Sequence, residues 1–209
     1  MSKLLFLEGP IQTGKSTLIR QALASFDCSS LAGFTSQRLT SGGDTIAFRI
    51  AAAGEPLTRP LNEVISGWPN LDADECLAKG IFKYFGEFGM KKHSEVFEGI
   101  ALDYLTDALS TSPPLVLLDE IGGHELAVPV YRQALTNLLA SGIPCIGVIK
   151  HPESTKRMDA SLVKLNADLH RFIEGELGGS ILYFDRDAQT SDEAREAVCA
   201  FICAHIQKG

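Results

Sequence analysis

Apolar positions along this chain fall into short unbroken runs, separated by stretches in which they recur at helical spacing. Leu4-Leu5-Phe6-Leu7, inside the segment Lys3 to Glu8, is the first run; a strand without polar alternation is one buried on both faces. Thr17 to Phe26 (TLIRQALASF) then carries apolar residues at helical spacing. Gly33 to Ile50 reads as two strands around a turn at Ser41-Gly42-Gly43-Asp44. Leu115 to Leu118, Ile143 to Ile149 and Ser180 to Phe184 are further buried-strand runs. Helices are expected from about Ser94 to Ser110, stopped by Pro113-Pro114, and from Val128 to Ala140, ended by Ser141-Gly142. A last helix is expected to take Ser191 as its cap, with Asp192 and Glu193 in its first turn and Ala194 to Ile206 beyond.

Strands alternating with helices predict an α/β fold of three layers, a mostly parallel sheet with helices on both faces. The chain has 209 residues and shows no internal repeat or linker, so it reads as a single domain over 1–209. The stretch at about 54–114 is looser. Pro56, Pro60 and Pro69 punctuate it, and it is expected to be an irregular insertion running over the surface.

The link between the first strand and the first helix carries the clearest chemistry. Gly9-Pro10-Ile11-Gln12-Thr13-Gly14-Lys15-Ser16 fits G-x-x-x-x-G-K-[ST], and Thr17 follows. Glycines at both ends let successive backbone N–H groups turn inward as an anion cradle, at the positive end of the helix dipole. In such a loop Lys15 reaches the β- and γ-phosphates and the Ser16 hydroxyl coordinates Mg²⁺. The position between an apolar strand and a helix is what the mechanism needs.

A second group must complete the magnesium shell. Leu115 to Leu118 ends in Asp119-Glu120, at the strand edge where ligands sit in such sheets. Asp119 is expected to hold Mg²⁺ beside Ser16, and Glu120 to face the γ-phosphate and polarise an attacking water. A small-molecule kinase could use Glu120 on a substrate hydroxyl instead.

Composition narrows the partners. Hydrophobic residues make up 45% and charged residues 22%, with a formal net charge of −7; attraction to nucleic acid or an anionic membrane is not expected. No apolar run reaches the roughly 18 residues of a membrane span, and the N-terminal run is too short for a signal peptide. A cytoplasmic protein is expected. The five cysteines, Cys28, Cys76, Cys145, Cys199 and Cys203, have no CxxC spacing and read as buried thiols in a reducing compartment.

Three segments together resemble one family, the small P-loop nucleoside-triphosphatases of the cancer-related type. They are GPIQTGKSTL, the hairpin GFTSQRLTSGGDTIAFRI with Arg38, and LLDEIGGHELAVPVYRQALTNLL followed by IPCIGVIKH. FKYFGEFGMKKHSEVFEGIALDYL also looks like the segment that precedes the family's Asp-Glu strand. The resemblance covers most of Lys3 to His151. It implies an adenylate-kinase-like fold and slow Mg²⁺-dependent hydrolysis of ATP, GTP and other nucleoside triphosphates. Its nucleotide contacts map onto Gly9 to Ser16 and onto Leu117, Leu118, Asp119, Glu120, Ile121, Gly122 and Gly123. Gly123-His124 stands where the family usually has Lys-Met, Gln37 where an acidic residue is common, and Pro152 where a basic one is usual.

A further cation usually stabilises the γ-phosphate in transfer. Arg38, Arg49, Arg132 and Lys156-Arg157 are the candidates, with Arg38 favoured by the resemblance. Lys156-Arg157 is a mobile lid or a solvated turn. His124 and His151 follow strand ends, and Trp68 either stacks on a base or packs the irregular stretch. The leading expectation is a Mg²⁺-dependent nucleoside-triphosphatase with Lys15 and Glu120 as its catalytic pair. The alternatives are a nucleotide or small-metabolite kinase, and a slow nucleotide-dependent switch acting on an unknown protein partner.

Overall fold

The computed structural model of the chain describes residues 2–24, 31–54, 62–65, 71–86, 89–156, 158–185 and 187–206. Within them the strands are β1 (Leu4–Glu8), β2 (Leu31–Ser41), β3 (Asp44–Ala52), β4 (Asn62–Val64), β5 (Ile81–Gly86), β6 (Gly89–Lys92), β7 (Leu115–Ile121), β8 (Cys145–Ile149) and β9 (Ser180–Tyr183). They form one sheet in the order β6-β5-β3-β2-β7-β8-β1-β9, with β4 also paired to β2. The contiguous block β2-β7-β8-β1-β9 is parallel throughout, whereas β3, β5 and β6 extend it with antiparallel pairs.

The unbroken apolar runs work because β1, β7 and β8 are buried on both faces; β9, at the sheet edge, is only half-buried and exposes Tyr183, so the buried-strand expectation for Ser180 to Phe184 fails there. Leu4 and Phe6 of β1 enter one core and Leu5 and Leu7 the other; Val116 and Leu118 of β7 are divided in the same way from Leu115 and Leu117. Helices α1 (Lys15–Leu23) and α8 (Ala188–His205) cover one face with Leu18, Ile19, Val198 and Ile202. The other face takes α3 (Glu95–Glu98), α4 (Ile100–Thr111), α5 (Pro129–Ala140) and α7 (Ala160–Arg171), through Phe97, Leu105, Leu135 and Leu169. This is the three-layer α/β arrangement that alternating strands and helices predict.

Several local expectations change. The stretch 54–114 is not irregular where it is described: it contains β4, α2 (Ala73–Ala78), β5, β6, α3 and α4. Asp72 caps α2, its side chain accepting from Glu75 N at 2.8 Å while Glu75 Oε2 accepts from Asp72 N at 3.2 Å. The helix expected over Ser94 to Ser110 is broken at Gly99, whose φ of −110° and ψ of −105° are not helical. The last helix starts at Ala188, so Ser191 lies inside it and donates its N–H to Asp187 O at 3.0 Å. Before it, α6 (Pro152–Thr155) and α7 fill a region with no sequence expectation, and Asp159 caps α7 by accepting from Ser161 N at 2.8 Å. Cys76 and Cys145 are buried, but Cys199 is half-buried and Cys203 exposed on α8, so the buried-thiol expectation fails at that helix. Trp68, Cys28 and Arg157 lie outside the described residues.

Candidate phosphate and metal site

The loop between β1 and α1 is held by backbone that few residues tolerate. Gly9 has φ +132°, and a Cβ there would lie 2.1 Å from Phe184 O. Gln12 and Gly14 also take positive φ, at 63° and 105°. Only glycine adopts such conformations freely, which is why this spacing of glycines shapes the loop. The Lys15 ammonium bends back into the ring, donating to Gly9 O at 3.1 Å, Pro10 O at 2.6 Å and Thr13 Oγ1 at 3.2 Å. Burial holds Lys15 below the usual lysine range, against the opposing charges of Glu120 and Asp119. Pro10, Ile11, Gln12 and Thr17 are exposed around the mouth.

Ser16, in the first turn of α1, donates its hydroxyl to Asp119 Oδ1 at 2.7 Å, across 103 positions of sequence. Asp119 Oδ2 accepts from Thr35 Oγ1 at 3.2 Å and from Ser36 N at 3.3 Å. The parallel register of Phe34 with Leu118 puts those two β2 residues beside it. Asp119 is 4% exposed. Burial, and then the charge of Glu120, push its carboxyl up to about 6 in spite of these three hydrogen bonds. A hydroxyl and a carboxylate are the hard oxygen ligands that Mg²⁺ takes, and a buried carboxylate lacking a full countercharge is relieved by a cation. The residues present therefore fit the ion.

The strand does not run straight through this point. Between Leu118 and Ile121 the pairing of β7 with β8 shifts register, a bulge that re-aims side chains. Glu120 sits in it with φ +64°, left-handed for a residue that has a Cβ. Asp119 is buried, and Glu120 is exposed beside it. Leu117, Leu118 and Ile121 pack their side chains into the two cores.

Behind the carboxylates, buried groups tie the strand ends together. Asn166 of α7 is fully buried and donates through Nδ2 to Gly122 O at 2.9 Å and Lys150 O at 3.0 Å. Glu125 is buried and accepts from Gly123 N at 2.6 Å; burial raises its carboxyl against the Lys150 charge and the backbone donors. Glu8, the residue before the loop, meets His170 Nε2 at 3.1 Å and lies 3.9 Å from His151 Nε2.

The other candidate cations divide. Arg38 reaches the loop: with the Gln12 amide oxygen turned towards it, its two terminal nitrogens donate at 3.0 and 3.1 Å. Arg49 is occupied on the sheet by Gln37 and Glu63, each at 2.7 Å. Arg132 donates to Leu126 O, back into the turn that precedes α5. Lys156 pairs with Glu153 at 2.5 Å, both largely exposed. His151 caps α6 by accepting from Glu153 N at 3.1 Å. Sequence reasoning missed Thr35, Ser36, Arg20 and Lys150. Arg20 stands one turn beyond Ser16 and bears on Asp119; that i+4 spacing is a signal the sequence did contain, whereas the others depend on strand neighbours.

The family model described as "NTPase" matches residues 4–170, from β1 into the last turn of α7. The chain belongs to that family of nucleoside-triphosphatases. A protein named cancer-related nucleoside-triphosphatase homolog in Mus musculus is 31% identical over 186 residues, covering 80% of this chain and 90% of that one. Its namesake in Bos taurus is 28% identical over 162 residues, covering 73% and 78%. Among solved structures, THEP1 from the hyperthermophile Aquifex aeolicus superposes with a TM-score of 0.58 at 17% identity, over 94% of this chain and 96% of that one; this likeness bears on the fold. The matched span contains both the glycine loop and the Asp119-Glu120 bulge. No helix of the described residues is long and apolar enough to cross a membrane.

Proposed function

We propose that this chain is a Mg²⁺-dependent hydrolase of nucleoside triphosphates, with broad tolerance of the base, that yields nucleoside diphosphate and orthophosphate. The observation that carries the reading is the 2.7 Å bond between Ser16 and Asp119, which joins the phosphate loop to the acidic strand at one point. Membership of the NTPase family supports the same reaction class.

In this reading the inward N–H groups of Gly9 to Thr17 bind the phosphate chain, and the Lys15 ammonium leaves its carbonyl partners for phosphate oxygens. Ser16 and Asp119 hold the magnesium ion, which neutralises phosphate charge when bound. Glu120, exposed and fixed by its bulge, takes the proton of the water that attacks the γ-phosphorus. Arg38 lies over the loop, placed to meet negative charge as it moves on to the departing phosphate. The site's own groups thereby supply binding, orientation and proton transfer.

The test is steady orthophosphate release from ATP and GTP by the purified protein with Mg²⁺ and no other partner. Glu120→Gln is expected to lower turnover by about two orders of magnitude or more while nucleotide affinity stays within about twofold. Unchanged turnover removes Glu120 from the role. Phosphoryl transfer seen only on adding a hydroxyl acceptor makes the chain a kinase instead.

A further inference from the structure

One row of side chains crosses the antiparallel part of the sheet. Arg38 of β2 is directly paired with Phe48 of β3, Phe48 with Lys83 of β5, and Lys83 with Lys92 of β6. Directly paired residues in antiparallel strands share a face, so the four line up in space. Contacts bear this out. The Arg38 guanidinium carbon is 5.7 Å from the Phe48 ring centre, and Lys83 Nζ lies 5.5 Å from the Phe48 ring and 5.1 Å from the Phe85 ring. At the near end Arg38 touches Gln12 of the phosphate loop. At the far end Lys92 Nζ is 2.8 Å from His124 Nε2. An ammonium has only protons to give, so the ring accepts there and is neutral.

Lys150 closes the gap between this row and the loop. Its aliphatic stem crosses Gly123, where a Cβ would be 2.5 Å from Lys150 Cε. Lys83 and His124 are both held below their ordinary ranges, first by burial and then by neighbouring cations, Lys150 and Lys92 for both and Lys83 as well for His124. Glu120 is the carboxylate that acts on Lys83. Cations crowded to this degree, in a chain of net charge −7, are stabilised by an anion among them.

We infer that Lys83, Lys92 and Lys150 form a second anion site beside Glu120, which holds the orthophosphate produced by hydrolysis. Lys15, Arg38 and the loop N–H groups serve the phosphates still on the nucleotide; the lysine site receives the one that has left. The inference rests on the triphosphatase reading above. It predicts that orthophosphate and nucleoside diphosphate bind together.

The test titrates sodium phosphate into protein saturated with Mg²⁺ and nucleoside diphosphate, read by the shift in thermal midpoint and by phosphorus-31 line broadening. For the double variant Lys83→Gln/Lys92→Gln, whose shortened side chains keep part of their packing over Phe48 and Phe85, orthophosphate affinity is expected to fall about tenfold or more. Diphosphate affinity should stay within about twofold of the unaltered protein. Lys150→Met should reproduce the loss while keeping the stem over Gly123. No orthophosphate binding to the unaltered protein overturns the inference, as does equal binding by the variants or a parallel loss of diphosphate affinity. If the unaltered protein fails to bind diphosphate at all, the phosphate-loop reading fails first, and the two failures are thereby told apart.

Discussion

Asp119 has two claims on its charge. Burial and Glu120 favour the protonated form, while Ser16, Thr35 and Ser36 favour the ionised one, and the balance leaves the carboxyl titrating at about 6. Because this is above the ordinary aspartate value, a proton would compete throughout the mildly acidic range with the metal ion proposed for this carboxylate. Mg²⁺ affinity is expected to be about fourfold weaker at pH 5.5 than at pH 7.5, measured by calorimetric titration; a flat profile would place the ion elsewhere. Gly9 bears on the frame rather than the charge. Gly9→Ala sets a methyl carbon 2.1 Å from Phe184 O at a φ of +132°, and should cost on the order of 3 kcal/mol in denaturant unfolding. Lys15, Ser16, Asp119 and Glu120 were legible from residue type and spacing because the glycine loop and an acidic strand end are local patterns. Thr35 and Ser36 were not, since nothing in their own neighbourhood says that β7 lies alongside.

At the level of elements, α7 is the brace of the crevice. Its Asn166 satisfies the carbonyls of Gly122 and Lys150, which end two adjacent strands. Asn166→Ala leaves both buried acceptors without that donor and should destabilise the fold by about 2–4 kcal/mol; loss of phosphate binding before loss of fold would show that it also sets the crevice. One turn on, His170 meets Glu8 through Nε2 at 3.1 Å and donates from Nδ1 to Asn166 O at 2.9 Å. Burial alone would lower its proton affinity, but the Glu8 hydrogen bond, the Asn166 carbonyl and the charges of Glu8 and Glu174 raise it above the ordinary value. A raised histidine contributes stability that is full below about 6.5 and is lost as pH rises through its folded value. The stability gap between the unaltered protein and His170→Gln should therefore shrink from pH 6 to pH 8.5 in urea titrations. The parallel strands around this brace could be read from their apolar runs. α7 could not, because its buried stripe is interrupted by Asn166, a polar residue that earns its place only through contacts 16 and 44 positions away.

Across the molecule, the sheet has two halves with different jobs. The parallel half positions the glycine loop and the bulge at its carboxyl edge, and its pattern was plain because β1, β7 and β8 are each buried twice. In the antiparallel half the hairpin of β2 and β3 was legible, whereas β5 and β6 fell in a stretch taken for irregular chain because prolines punctuate the residues before them and β6 is exposed along its whole length. That half carries the cation row, which the overall charge of −7 conceals; a sum over the surface says little about one face. The bulge at Glu120 affects the molecule as a whole. A residue held at φ +64° would be easier as glycine or asparagine, so Glu120→Gly should raise the stability of the entire fold by about 1 kcal/mol. A library of variants screened only for survival of heat would then enrich proteins that had discarded the proposed base. With Glu120 in its proposed role, durability and turnover are opposed at a single position, and any search for a tougher enzyme has to hold that position fixed.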